Sequence, residues 1–140
     1  MLYLDTSALA AYYCPEAISA RVECVLLAAD QPAISPLVEV EFVSALARKV
    51  REKELAKEVA NRIINQFQAH VDHNLYHWLA IEHHHFQKAF HWIARFGTPL
   101  RTLDALHLAV AAAESADLLT ADAQLARAAK EFGVGVTLIR

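Results

Sequence analysis

Short apolar runs alternate along this chain with longer stretches whose apolar residues recur at helical spacing. LYLD at the N-terminus reads as a buried strand, and TSALAAYY after it as a short helix broken at Cys14-Pro15. Ala17 to Ala29 reads as a helix and Ala33-Ile34 as a short strand. Ser35-Pro36 has the form of an N-cap followed by proline in a first turn, predicting a helix to about Val50. Leu55, Val59, Ile63 and Phe67 recur every fourth residue, which predicts an amphipathic helix. Asn74 to Tyr76 is a strand candidate. Leu79, Phe86, Phe90 and Ile93 are expected to form the packed face of the next helix, which the Gly97-Thr98-Pro99 turn ends. Leu103 to Ala113 is apolar on nearly every side and predicts a buried helix. Asp117 to Thr120 reads as a strand, Asp122 to Phe132 as a helix stopped by Gly133, and Val134 to Ile139 as a last strand.

Strands and helices in alternation predict an α/β fold, with a central parallel sheet of four to five short strands and helices on both faces. In such sheets ligands bind beyond the carboxyl ends of the strands. The 140 residues suit one domain spanning 1–140. A 56% hydrophobic content supports a continuous core and argues against disorder. No apolar run approaches the ~18 residues of a membrane span, and MLYLD has no basic leader. A cytoplasmic protein is therefore expected. Cys14 and Cys24 fit no zinc spacing and are expected to be buried thiols rather than a disulfide. A formal charge of -3 excludes binding of nucleic acid by overall charge alone. It leaves room for a local basic rim, for which Arg48 and Arg101 are the candidates.

The chemistry lies in four acids at or near the ends of apolar segments: Asp5, Glu41, Asp104 and Asp122. Each has an ordinary reading: Asp5 and Asp122 as helix caps, Asp104 as complement to a helix dipole, Glu41 as a solvated helix residue. Jointly they are predicted at one edge of one sheet. Carboxylates gathered there repel one another and raise their own pKa values unless a cation sits among them. A hard divalent ion such as magnesium, which prefers oxygen ligands and retained water, is the economical solution. Such an ion activates water for attack on phosphorus, and a second stabilises the leaving oxygen. Glu39 is a rival to Glu41. Residues two apart on a helix differ in direction by about 200°. Glu39 falls on the stripe of Phe42, Val43 and Leu46, so Glu41 is the expected ligand.

The motifs LDTSAL, SPLVEVEFVSALAR, LDALHLAVA and LLTADAQLARAAKEFGVGV, in this order, resemble a PIN-domain ribonuclease of the VapC toxin type over Leu2 to Leu138. The resemblance implies a three-layer α/β/α fold and an endoribonuclease using one or two Mg2+ or Mn2+ ions. Asp5, Glu41, Asp104 and Asp122 match its metal-binding acids, and Thr6, Ser7 and Thr120 match hydroxyl positions that support carboxylate geometry. It further implies an RNA substrate, a cognate VapB-like antitoxin whose basic side chain meets the acids, and a homodimer. The competing reading is a non-catalytic PIN-fold module that binds RNA or protein. All four acid positions are filled, which disfavours it. A haloacid dehalogenase-type phosphatase wants D-x-D where this chain has Asp5-Thr6-Ser7, and a receiver domain wants a lysine late in the sheet where this chain has only Lys130, inside the last helix. His84, Lys88, His91 and Arg95 are expected to form a solvated stripe rather than a zinc site, and His107 to be a packed core histidine.

Overall fold

The computed structural model describes residues 1–140. Its order is β1 (Leu2–Leu4), α1 (Thr6–Tyr13), α2 (Ser19–Ala28), β2 (Pro32–Ile34), α3 (Pro36–Arg51), α4 (Lys57–Asp72), β3 (His77–Trp78), α5 (His83–Ile93), α6 (Thr102–Ala113), β4 (Asp117–Thr120), α7 (Ala123–Glu131) and β5 (Val136–Leu138). The five strands form one sheet in the order β3-β2-β1-β4-β5, and every pairing is parallel. This is the expected three-layer α/β/α fold. The inner strands β1, β2 and β4 are mainly apolar because parallel strands are covered on both faces, while the edge strand β3 is exposed. Tyr3, Leu4, Ala33, Ile34, Leu118 and Leu119 are fully buried.

The connections run outward from β1 to β2 and β3, then cross back to β4 and β5. Right-handed crossovers place α1 to α4 on one face and α5 to α7 on the other. The direction reverses between the neighbouring strands β1 and β4, so a crevice opens at their carboxyl ends. Register sets what meets there. Leu4 pairs with Leu119, so Asp5 emerges beside Thr120.

Three expectations need correction. The third strand is His77–Trp78, not Asn74–Tyr76. Asn74 adopts a left-handed φ of 58°, and Leu75 N–H reaches back to His70 O at 3.0 Å. These residues close the C-terminus of α4, a geometry Asn tolerates well, and cannot belong to a strand. On α5 the buried face is His85, Ala89 and Trp92, while Phe86 and Phe90 are exposed. Trp92 stacks on Phe132 with ring centroids 4.6 Å apart, and that larger ring decides the helix's rotation. Leu79 is buried but precedes the helix. Of the two thiols, Cys14 is buried and Cys24 exposed; both are free. His84, Lys88, His91 and Arg95 do form an exposed stripe. No helix is long and apolar enough to cross a membrane.

Candidate active site

Asp5 follows β1 directly and caps α1. Its Oδ1 accepts from Ala8 N–H at 2.9 Å and from the Ser7 hydroxyl at 2.7 Å. Its Oδ2 accepts from the Thr120 hydroxyl at 2.6 Å. Burial pushes the Asp5 carboxyl above its ordinary pKa, against the pull of these bonds. Ser7 and Thr120 tie the site to the neighbouring strand: Ala121 N–H donates to Ser7 Oγ and Asp122 N–H to Thr120 Oγ1. Asp122 in turn caps α7, its Oδ1 accepting from Gln124 and Leu125 N–H at 2.8 and 3.1 Å.

Glu41 reaches the same edge from α3. Its Oε1 accepts from the Thr6 hydroxyl at 2.9 Å and lies 2.5 Å from His107 Nε2 on α6. Burial acts to raise the Glu41 pKa, but the bond and charge of His107, with the Thr6 hydroxyl, outweigh it and hold the carboxyl below its usual range. Glu39, by contrast, borders a cavity between α3 and α4 with Val43, Ile64 and Phe67. The two glutamates therefore face different surroundings, as the helical angle requires.

Asp104 lies in the first turn of α6, half-buried. Burial, then the charge of Asp122, then those of Asp5 and Glu41 raise its pKa, while His107 opposes them. No hydrogen bond contributes. Asp104 and Glu41 share an open cavity of about 570 Å³ with Ile93, Leu100 and Arg101. Arg101 thus stands at the rim. Arg48 is exposed in the last turn of α3, roughly 10 Å along the axis from Glu41.

Asp104 is thus within electrostatic reach of the other three acids, and the ion pair between Lys49 and Glu54 engages none of the four. Their donor chemistry suits a hard cation. No three His, Cys, Asp or Glu side chains converge closely enough to hold a metal ion as they stand. That geometry remains compatible with Mg2+, which commonly takes one or two carboxylates directly and keeps its waters. Sequence reasoning missed the bond from His107 to Glu41. The only available signal was an imidazole in an otherwise apolar helix, one turn after Asp104.

The protein-family model described as PIN domain matches residues 2–131. A comparison with curated proteins finds no match. Among solved structures the chain resembles VapC20 of Mycobacterium tuberculosis, a sarcin-ricin loop cleaving toxin, with 16% identity, TM-score 0.72, and 91% and 95% of the two chains covered. It also resembles VapBC2 of Rickettsia felis bound to a promoter DNA fragment, with 16% identity, TM-score 0.72 and full coverage of both chains. A third similar structure is FitAcB of Neisseria gonorrhoeae, with 18% identity, TM-score 0.68, and coverage of 97% and 96%. At these identities the structural likeness speaks for the fold. The family match across 2–131, over a parallel sheet with four acids at its switch point, makes this chain a member of the PIN-domain family.

Proposed function

We propose that this protein is a metal-dependent endoribonuclease and the toxin of a VapBC-type toxin–antitoxin pair. The observation that carries the proposal is Asp104: a half-buried carboxylate under the charge of three other acids, opposed by His107 alone and without a hydrogen bond. Such an arrangement is poorly stable empty and well suited to a divalent cation. Asp5, Glu41, Asp104 and Asp122 would hold Mg2+ or Mn2+, one or two ions, directly or through water. When bound, the ion supplies an activated water and charge stabilisation for phosphodiester hydrolysis. The chain's own residues set the geometry. Ser7 and Thr120 fix Asp5, Thr6 fixes Glu41, and Arg101 offers a charge to the RNA backbone at the cavity rim.

The toxin reading is supported by the solved VapBC complexes that share this fold. The partner would be a VapB-like antitoxin presenting a basic side chain to the acids, in the cytoplasm where RNA is met. Exposed Val40, Phe86 and Phe90 on α3 and α5 offer apolar area for protein contact and support a homodimer. Incubation of the purified protein with RNA and Mn2+ or Mg2+, with and without chelator, tests the activity. Cleavage that needs metal and is lost in Asp104→Asn supports the reading. RNA binding without metal-dependent cleavage would favour the non-catalytic module.

A further inference from the structure

A continuous line of side-chain hydrogen bonds runs from the core to Glu41. Ser35 Oγ lies 2.8 Å from Tyr3 Oη, and Tyr3 Oη 2.9 Å from His107 Nδ1. His107 Nε2 lies 2.5 Å from Glu41 Oε1. Three elements contribute: strand β1 through Tyr3, helix α6 through His107, and α3 through both its N-cap Ser35 and Glu41 in its second turn. Tyr3, Ser35 and His107 are all buried, so the line is shielded from water.

The donors can be assigned from chemistry. The Glu41 carboxylate only accepts, so His107 Nε2 carries the proton. In the Nε2–H tautomer Nδ1 then accepts, which makes the Tyr3 hydroxyl its donor. Tyr3 Oη accepts in turn from Ser35. Ser35 Oγ already accepts the Val38 N–H as the cap of α3, leaving its own proton for Tyr3. Ser35, Tyr3 and His107 then each give and receive, Glu41 accepts at the end, and no donor is orphaned, the condition under which a buried polar network rigidifies its surroundings.

This line has a direction and a terminus. Both bonds to Glu41, from His107 and Thr6, fall on Oε1, leaving Oε2 without a partner in the chain. A glutamate has three rotatable side-chain bonds; a packed imidazole on one oxygen removes that freedom. Resting on the reading of Glu41 as a metal ligand, we propose that Ser35, Tyr3 and His107 are positioning residues that hold Glu41 by one oxygen so that the other is presented to the cation. None of them touches the ion or the RNA. His107 is buried, but its ring does more than fill the core.

Titration with Mn2+ alone, followed by loss of the free-ion electron paramagnetic resonance signal, tests this without RNA or turnover. Far-ultraviolet circular dichroism and melting establish that each variant is folded. His107→Leu should weaken Mn2+ binding about 10–100-fold, the usual cost of removing a partner behind a ligand. Tyr3→Phe preserves the ring's packing and should weaken binding several-fold. His107→Gln, whose amide N–H can replace Nε2–H, should restore most of the affinity that His107→Leu loses. A merely structural role would lower melting temperature and leave the affinity of the folded protein unchanged. Should His107→Leu fail to fold, Tyr3→Phe decides alone. Wild-type affinity in folded Tyr3→Phe or His107→Leu, with affinity lost in Glu41→Gln, overturns the positioning role and leaves the metal site standing. Wild-type affinity in Glu41→Gln would instead remove Glu41 from the metal site, and the positioning role with it.

Discussion

The chain pairs a buried tyrosine with a histidine twice, at opposite ends of its sheet. Near the carboxyl ends of the strands, Tyr3 Oη meets His107 Nδ1 at 2.9 Å and Ser35 at 2.8 Å. Near the amino ends, Tyr13 Oη meets His70 Nδ1 at 2.6 Å and Tyr76 Oη at 2.7 Å. The chemistry of the two pairs is alike, but they end differently. Tyr13 sits among Phe42, Phe67 and Tyr76, its ring edge-on to Phe67 at 5.7 Å, and its hydrogen bonds go to His70 and Tyr76 with no carboxylate in the line. Burial there pushes the Tyr76 phenol up to about 12. The Tyr3 pair continues through His107 to a carboxylate on an open cavity. A tyrosine–histidine pair is thus not by itself a sign of chemistry; what matters is the group on which its hydrogen bonds end.

The largest expected difference between the two ends is in RNA cleavage. Asp5→Asn, Glu41→Gln, Asp104→Asn and Asp122→Asn should each lower the rate by more than about 100-fold, since removing a ligand should cost more than removing the partner behind it. Tyr13→Phe and Tyr76→Phe should leave the rate within about threefold, less than 1 kcal/mol of barrier. Initial rates under saturating Mn2+ measure both sets. If Tyr13→Phe were as damaging as Glu41→Gln, the division between a structural and a functional end would collapse.

Melting should reverse the order. Tyr13→Phe leaves His70 Nδ1 and Tyr76 Oη short of a buried partner and should cost roughly 1–3 kcal/mol. In a chain of this size that is several degrees of melting temperature. Glu39→Gln sharpens the same division within one helix. Glu39 borders the α3–α4 cavity, away from Asp104, and its replacement should shift stability by no more than about 0.5 kcal/mol and leave cleavage unchanged. Activity lost in Glu39→Gln and kept in Glu41→Gln would reverse the assignment of the glutamates.

The sheet and the approach of the acids were legible because they follow from short-range rules: apolar runs bounded by caps and breakers, and parallel strands whose carboxyl ends share an edge. That Glu39 and Glu41 face different surroundings was legible because a helix turns by a fixed angle. What was not legible depends on partners distant in sequence. The rotation of α5 is decided by Trp92 stacking on Phe132, forty residues away, so a face that looked apolar stays exposed. The third strand slipped because Asn74 takes the left-handed cap of α4. His107 looked like packing because its two partners, Tyr3 and Glu41, lie 104 and 66 residues away.

The smallest expected effect separates two carboxylates within the site. Burial and the neighbouring acids hold the Asp104 pKa above its ordinary 3.8. Its contribution to stability is therefore fully present below that value and is lost as pH rises through the folded pKa. In metal-free protein at neutral pH, Asp104→Asn should melt slightly higher than wild type, and the gap should close as the solution is acidified past 3.8. Asp104 is half-exposed and water screens the effect, so a shift of a degree or so is expected. Glu41 has the opposite sign. Its folded pKa is depressed, so its stabilisation is present above the ordinary 4.5 and disappears as pH falls through the folded value. Glu41→Gln should melt lower than wild type at neutral pH and approach it in acid. Millimolar Mg2+ then provides the deciding step. It should raise the wild-type melting temperature by mass action and leave Asp104→Asn nearly unmoved, reversing the order of those two proteins. An unchanged order in metal would mean that the repulsion around Asp104 is real but that no cation answers it.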